Sequence, residues 1–151
     1  MINDVRAMFV VCLSALAVSA SAQDQNAGAA LFDTNCAACH QKAGVGAPGL
    51  APPLAHRELF ARLGEEAPIY LSGVLLSGLT GRITANDMEY VGLVMPSHVW
   101  LTDAEVLAIT NYVLGDLNDI NPKLSPEELG TLREAPPDHA ALIKIRERVA
   151  P

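Results

Sequence analysis

The sequence predicts an all-α fold: short helices separated by Gly- and Pro-rich loops, one small β-hairpin late in the chain, and a helical C-terminal extension. Three observations carry that prediction. Apolar residues recur at helical spacing in successive segments. Several of those segments open on recognisable caps, Thr102-Asp103-Ala104-Glu105 among them. And the one pair of cysteines outside the N-terminal apolar run sits in Cys36-Ala37-Ala38-Cys39-His40, after a helical segment rather than a strand.

The chain has 151 residues and a net charge of −7. Residues 7–22 are uncharged, mostly apolar and end in Ala20-Ser21-Ala22. The run is shorter than the roughly 20 residues that span a bilayer and finishes on an A-x-A pattern, which reads as a secretory signal peptide over 1–22. Its removal takes one Asp and one Arg, so the charge stays at −7. Cys12 leaves with it. No later apolar run approaches membrane length. The acidic balance excludes nucleic acid as a partner, since phosphates need Lys/Arg patches.

From about Asn26, after a frayed Gln23–Gln25, a helix carries Gly28, Leu31 and Phe32 on one face. Glycine inside a helix costs about 1 kcal/mol relative to Ala, so Gly28 suggests close approach of another element. The helix runs into the Cys36–His40 motif. C-x-x-C alone would suit a redox dithiol or a disulfide. C-x-x-C-H suits covalent attachment of one c-type haem. Two intervening residues let both sulfurs reach the vinyl groups on one porphyrin edge, and the adjacent His faces the iron.

Residues 44–53 hold Gly44, Gly46, Gly49, Pro48, Pro52 and Pro53, which makes a loop wrapped over the proximal side of that haem. Leu54 would then point an apolar side chain at the porphyrin. The charged stretch 56–66 contains a short surface helix. Pro68 opens another, with Ile69, Leu71, Val74, Leu75 and Leu79 apolar, which stops at Gly78–Gly81. Residues 82–94 read as a hairpin turning at Asn86-Asp87, residues that tolerate positive φ. The helix opened at Thr102 carries Val106, Ile109, Thr110 and Val113 on one face, Tyr112 on a flank, and Gly115 as C-cap. In the extension, 116–151, Ser125-Pro126 starts one helix and Asp138 caps a second bearing Leu142, Ile143 and Ile145. Its acids outnumber its bases, so it is no polybasic membrane anchor. It either packs on the rest of the chain or docks on a partner.

A low-spin haem carrier needs a sixth ligand, most often Met or His. Met88 and Met95 are the methionines of 23–151. His56, His98 and His139 read as solvated or hydrogen-bonded rather than ligating, His98 as a surface imidazole on a linker that could swing if Met95 were lost.

Taken together these motifs resemble the class I bacterial cytochromes c, over roughly Asn26 to Gly115. Gly28-x-x-x-Phe32 and Tyr112 match the two helices that cross in that family. Pro52-Pro53-Leu54 is similar to its proline loop. Met95-Pro96, a linker, Leu101-Thr102-Asp103 and a helix ending at Tyr112-Val113 follow its order. Asn86-Asp87 departs from the Asn-Gly usual there, and the extension has no counterpart in the minimal fold. The resemblance implies a cytochrome c domain over 23–115, a single haem c on Cys36 and Cys39, His40 and Met95 as axial ligands, and the Pro52 carbonyl accepting from His40. The implied activity is one-electron transfer in the periplasm, from a dehydrogenase-type donor to a terminal acceptor, as a free carrier or a small subunit. Partners would present a basic or apolar docking surface. The rival is a haem enzyme or gas-binding protein with a labile sixth position.

Overall fold

The structure is a computed structural model that describes residues 18–121 and 123–149. The expected signal peptide lies outside the described residues except for 18–22. The described elements are helices α1 (Val18–Asn35), α2 (Ala37–His40), α3 (Arg57–Leu63), α4 (Ala67–Ser77), α5 (Asp103–Asn111), α6 (Pro126–Glu134) and α7 (His139–Glu147), with two small antiparallel ladders between α4 and α5 in the chain. These are β1 (Leu79–Thr80) with β4 (Val94–Met95) and β2 (Ile83–Ala85) with β3 (Met88–Tyr90).

Helix α1 begins earlier than expected. The segment Val18–Gln25 holds no Gly or Pro to stop a helix, so Gln23–Gln25 is helical rather than frayed. Its Gly28 lies against α5: a Cβ there would sit 2.6 Å from the Ala108 carbonyl oxygen and 2.9 Å from Tyr112 Cβ. One turn on, Phe32 is fully buried and its ring meets that of Tyr112 at 5.4 Å, tilted by 54°. Helix α5 carries the expected complete capping box, Glu105 N–H to Thr102 Oγ1 and Thr102 N–H to Glu105 Oε2. Val106, Ile109, Thr110 and Val113 are buried as a single face.

Gly115 does not cap this helix. The chain continues in a π-helical turn, Tyr112–Asp116, with Gly115 inside it. Buried Asn118 does the capping: its Nδ2 donates at 2.7 Å to the Val113 carbonyl and at 2.7 Å to the Leu54 carbonyl. Its Oδ1 accepts from His56 N–H at 2.7 Å. Both amide hydrogens of the side chain are used within the fold, and the end of α5 is thereby tied to the loop after Pro53.

Helix α4 is the central element. Apart from Ile69 and Ser77, all of its residues are buried, including Ser72, whose hydroxyl meets that of Thr110 at 3.0 Å. The hairpin turns where expected, with φ of 49° at Asn86 and 59° at Asp87. Positive φ at both central residues is what a two-residue type I′ turn demands.

The extension packs on the core. Ser125 forms a second capping box with Glu128, and Asp138 accepts from Ala141 N–H. Leu129 of α6 and Leu142 of α7 are fully buried and share one apolar cluster with Phe32, Leu75 and Ile109. Each such leucine contributes about 1.5–3 kcal/mol of burial.

Candidate haem site

Helix α1 ends by delivering the cysteines. Cys36 N–H still donates to the Phe32 carbonyl at 2.8 Å, and His40 N–H to the Cys36 carbonyl at 2.9 Å, so the motif is one wound turn. Gln41, at φ 62°, breaks it. The chain then folds back over His40. Gly46 N–H donates to the His40 carbonyl, and the Gly44 carbonyl accepts from both Leu54 and Ala55. A Cβ at Gly46 would lie 2.6 Å from the Pro53 nitrogen, and its φ is 78°, so glycine is needed there for two reasons. The result puts the Pro52 carbonyl oxygen 2.8 Å from His40 Nδ1. A carbonyl only accepts, so Nδ1 carries the proton and Nε2 presents its lone pair.

Met95 arrives from the other end of the chain. It pairs with Leu79 across the β1–β4 ladder. A Cβ at Gly78 would be 2.6 Å from the Met95 carbonyl oxygen, so the α4 terminus and the Met95 segment are in close backbone contact. Ser97 Oγ donates to the Leu76 carbonyl and His98 N–H to that of Leu75.

Between these parts is a cleft of about 920 Å³ including its open mouth. Cys36, Cys39, His40, Pro52 and Met95 all line it. Its walls include Leu79, Ile83 and Leu93. Leu50 and Ala51 face it; Leu54 does not, because its Cβ is turned toward Gly44 and it packs on the core instead. Met88, His56 and His139 are not among the lining residues. His98 is. It is 7% exposed, not a surface imidazole. Its backbone tie to Leu75 turns the ring inward, Nδ1 lies 3.0 Å from the Pro96 carbonyl, and Trp100 covers it at 4.8 Å. His98, Asn118 and the β1 wall are the parts of this arrangement that sequence reasoning missed.

The donor set fits a covalently held haem: two thiols one turn apart, an imidazole with a fixed tautomer, a soft thioether and apolar walls. The same geometry is a poor dithiol redox site. Burial, then the neighbouring Cys39, pushes the Cys36 thiol up to about 11. Reactive thiols have depressed values instead. Burial also holds His40 below the usual histidine range, outweighing the opposing pull of the Pro52 bond, and this lowering favours the neutral, ligating form.

The family model described as Cytochrome c matches residues 25–115. The chain belongs to the cytochrome c family. Two cytochromes c-552 of Thermus thermophilus are each 43% identical to it over 88 residues. That stretch is 57% of this chain and 64% and 57% of the two relatives, so the chain spans less than two thirds of their length. Membership of the class I monohaem cytochromes c implies one covalently bound haem c, and Cys36 and Cys39 stand in the attachment spacing. The extension lies beyond the matched region.

Proposed function

We propose that this cytochrome c is an exported, periplasmic one-electron carrier with His40 and Met95 as axial ligands. It would run between a dehydrogenase-type donor and a terminal acceptor, free or as a small subunit. The observation that carries the reading is the meeting, in one apolar cleft, of the two cysteines, a His40 whose tautomer is set by Pro52, and Met95.

The haem supplies the Fe(II)/Fe(III) couple. The chain's own residues do the rest. Pro52 fixes the His40 ring and keeps Nε2 free to ligate. The Met95 thioether, a soft ligand, favours the reduced state and raises the potential relative to two histidines. Leu79, Ile83 and Leu93 exclude water, which disfavours the extra charge of the oxidised state. Leu50 and Val94 line the cleft yet are 51% and 69% exposed. Apolar side chains at the mouth, on a protein of net charge −7, support a brief complex with a partner that is basic or apolar where it docks. The apolar leader 7–22 supports export. Among the described residues no helix is long and apolar enough to cross a membrane.

Met95→Ala tests the ligand set. The oxidised parent should show the methionine-to-iron charge-transfer band at the red end of the visible spectrum. The variant should lose it, drop in potential and bind carbon monoxide when reduced. A parent without that band overturns the Met95 assignment.

A further inference from the structure

The segment from Met95 to Asp103 is held at two ends by two different parts of the molecule. Its first half is tied to α4, through Ser97 to the Leu76 carbonyl and His98 N–H to that of Leu75. Its second half is tied to the extension, through one side chain. Arg133 of α6 donates from Nε to Asp103 Oδ1 at 2.6 Å, from Nη1 to the Val99 carbonyl at 3.1 Å and from Nη2 to the Leu101 carbonyl at 2.8 Å. All three nitrogens of the guanidinium are used, and the side chain is 27% exposed. Between those carbonyls stand Val99 and Trp100, at 59% and 64% exposure, which bury little of their own surface. Trp100 nevertheless covers His98 in the cleft wall.

We propose that Arg133 is a positioning residue for Met95, and that the extension serves to brace the loop bearing this ligand. The inference rests on Met95 being the axial ligand. A planar fork reaching two carbonyls and one carboxylate fixes the loop in direction as well as distance, which a lysine point charge cannot do. The carboxylate belongs to the first residue of α5, so the loop is locked to the start of that helix. Without Arg133, the stretch 99–101 keeps the buried Leu101 side chain as its anchor to the core, while its remaining backbone hydrogen bonds among the described residues, Leu101 N–H to His98 and Val99 N–H to Ser97, are internal to the segment. Met95 would then leave the iron more often. A ligand that competes for the vacated position binds with an apparent affinity proportional to the open fraction.

The experiment uses the full-length ferric holoprotein and free imidazole as the probe. Arg133→Gln and Arg133→Lys are compared with Arg148→Ala. Arg148 also ties the extension to the core, bonding both oxygens of Glu66, but touches no part of the Met95 loop. Both Arg133 variants should bind imidazole about tenfold more tightly than the parent, and Arg148→Ala should match the parent. Unchanged imidazole binding in both Arg133 variants, with the methionine band intact, overturns the proposal alone. So does an equal rise in Arg148→Ala, which would assign the effect to general detachment of the extension. Absence of the methionine band in the parent overturns the ligand reading and this proposal with it. A purely structural role for Arg133 would lower the unfolding midpoint and leave imidazole affinity where it was.

Discussion

Two helix-interior glycines mark the two joins of this molecule, and they are not alike. Gly28 lies where α1 crosses α5; Gly73 lies where α4 receives the extension. At Gly28 an added Cβ would meet backbone, the Ala108 carbonyl oxygen at 2.6 Å, and the Cβ of Tyr112. At Gly73 it would meet side-chain ends, Pro137 Cγ at 2.8 Å and Leu142 Cδ2 at 3.1 Å. The first join is therefore set by two backbones in contact and cannot relax without moving a helix. The second is set by side chains on a late segment and can give. The crossing shared with the family and the added brace use the same residue type at different depths of commitment.

The comparison is broken most directly at the buried side chains. Phe32→Ala should cost about 3–5 kcal/mol and Leu142→Ala about 2–5 kcal/mol, read from urea unfolding of the holoprotein. The ranges overlap because both side chains are fully buried in one cluster. If Leu142→Ala changed the unfolding free energy by only a few tenths, the extension would be an appendage and not part of the core.

The glycines themselves sharpen it. Gly28→Ala should destabilise by about 1–3 kcal/mol, since overpacking against a backbone outweighs the helical preference of Ala. Gly73→Ala gains up to about 1 kcal/mol of helix propensity and meets side-chain atoms, the Pro137 ring and the Leu142 tip, in place of a neighbouring helix backbone, so its loss should be smaller than that of Gly28→Ala. Equal losses in the two variants would mean that the Pro137 ring is as unyielding as the Ala108 carbonyl.

The two joins also differ in how readable they were. Gly28 in a helix interior signalled a close approach, and the resemblance to the family, not the spacing, named the helix of Tyr112 as its partner. Both capping residues of the extension, Ser125 and Asp138, and the Asn86-Asp87 turn were legible, because each depends on neighbours within a few residues. What was not legible depends on distant ones. The Leu79 to Met95 pairing spans the whole hairpin. The burial of His98 follows from a bond to Leu75. Asn118 replaces Gly115 at the end of α5 because it also has the Leu54 carbonyl to serve. Arg133 reads in the sequence as one more surface charge on an amphipathic helix, and only the fold brings the Val99 and Leu101 carbonyls within its reach. Within the cleft, Cys36, Cys39, His40, Pro52 and Met95 were named from motif and resemblance, whereas Leu50 and Ala51 take the place expected of Leu54 because Leu54 is drawn under Gly44.

The smallest effect tests the same comparison at the helix starts. Glu105 opens α5 and Glu128 opens α6, each bonded to the backbone N–H and hydroxyl of its own cap residue, Thr102 or Ser125. Those bonds, the backbone one first, hold both carboxyls below the ordinary value of 4.5. A carboxyl depressed in the folded state adds stability above its unfolded value and loses it as the pH falls through the folded value. Acid should therefore weaken both helix starts over a window that begins near 4.5 and extends below it. Both side chains are exposed, so each contribution is small and screened by salt. Glu105→Gln and Glu128→Gln should each flatten the acid limb of the unfolding midpoint without moving its neutral plateau far. An acid limb flattened by Glu105→Gln alone would place the acid-sensitive helix start in α5 and leave the extension out of it.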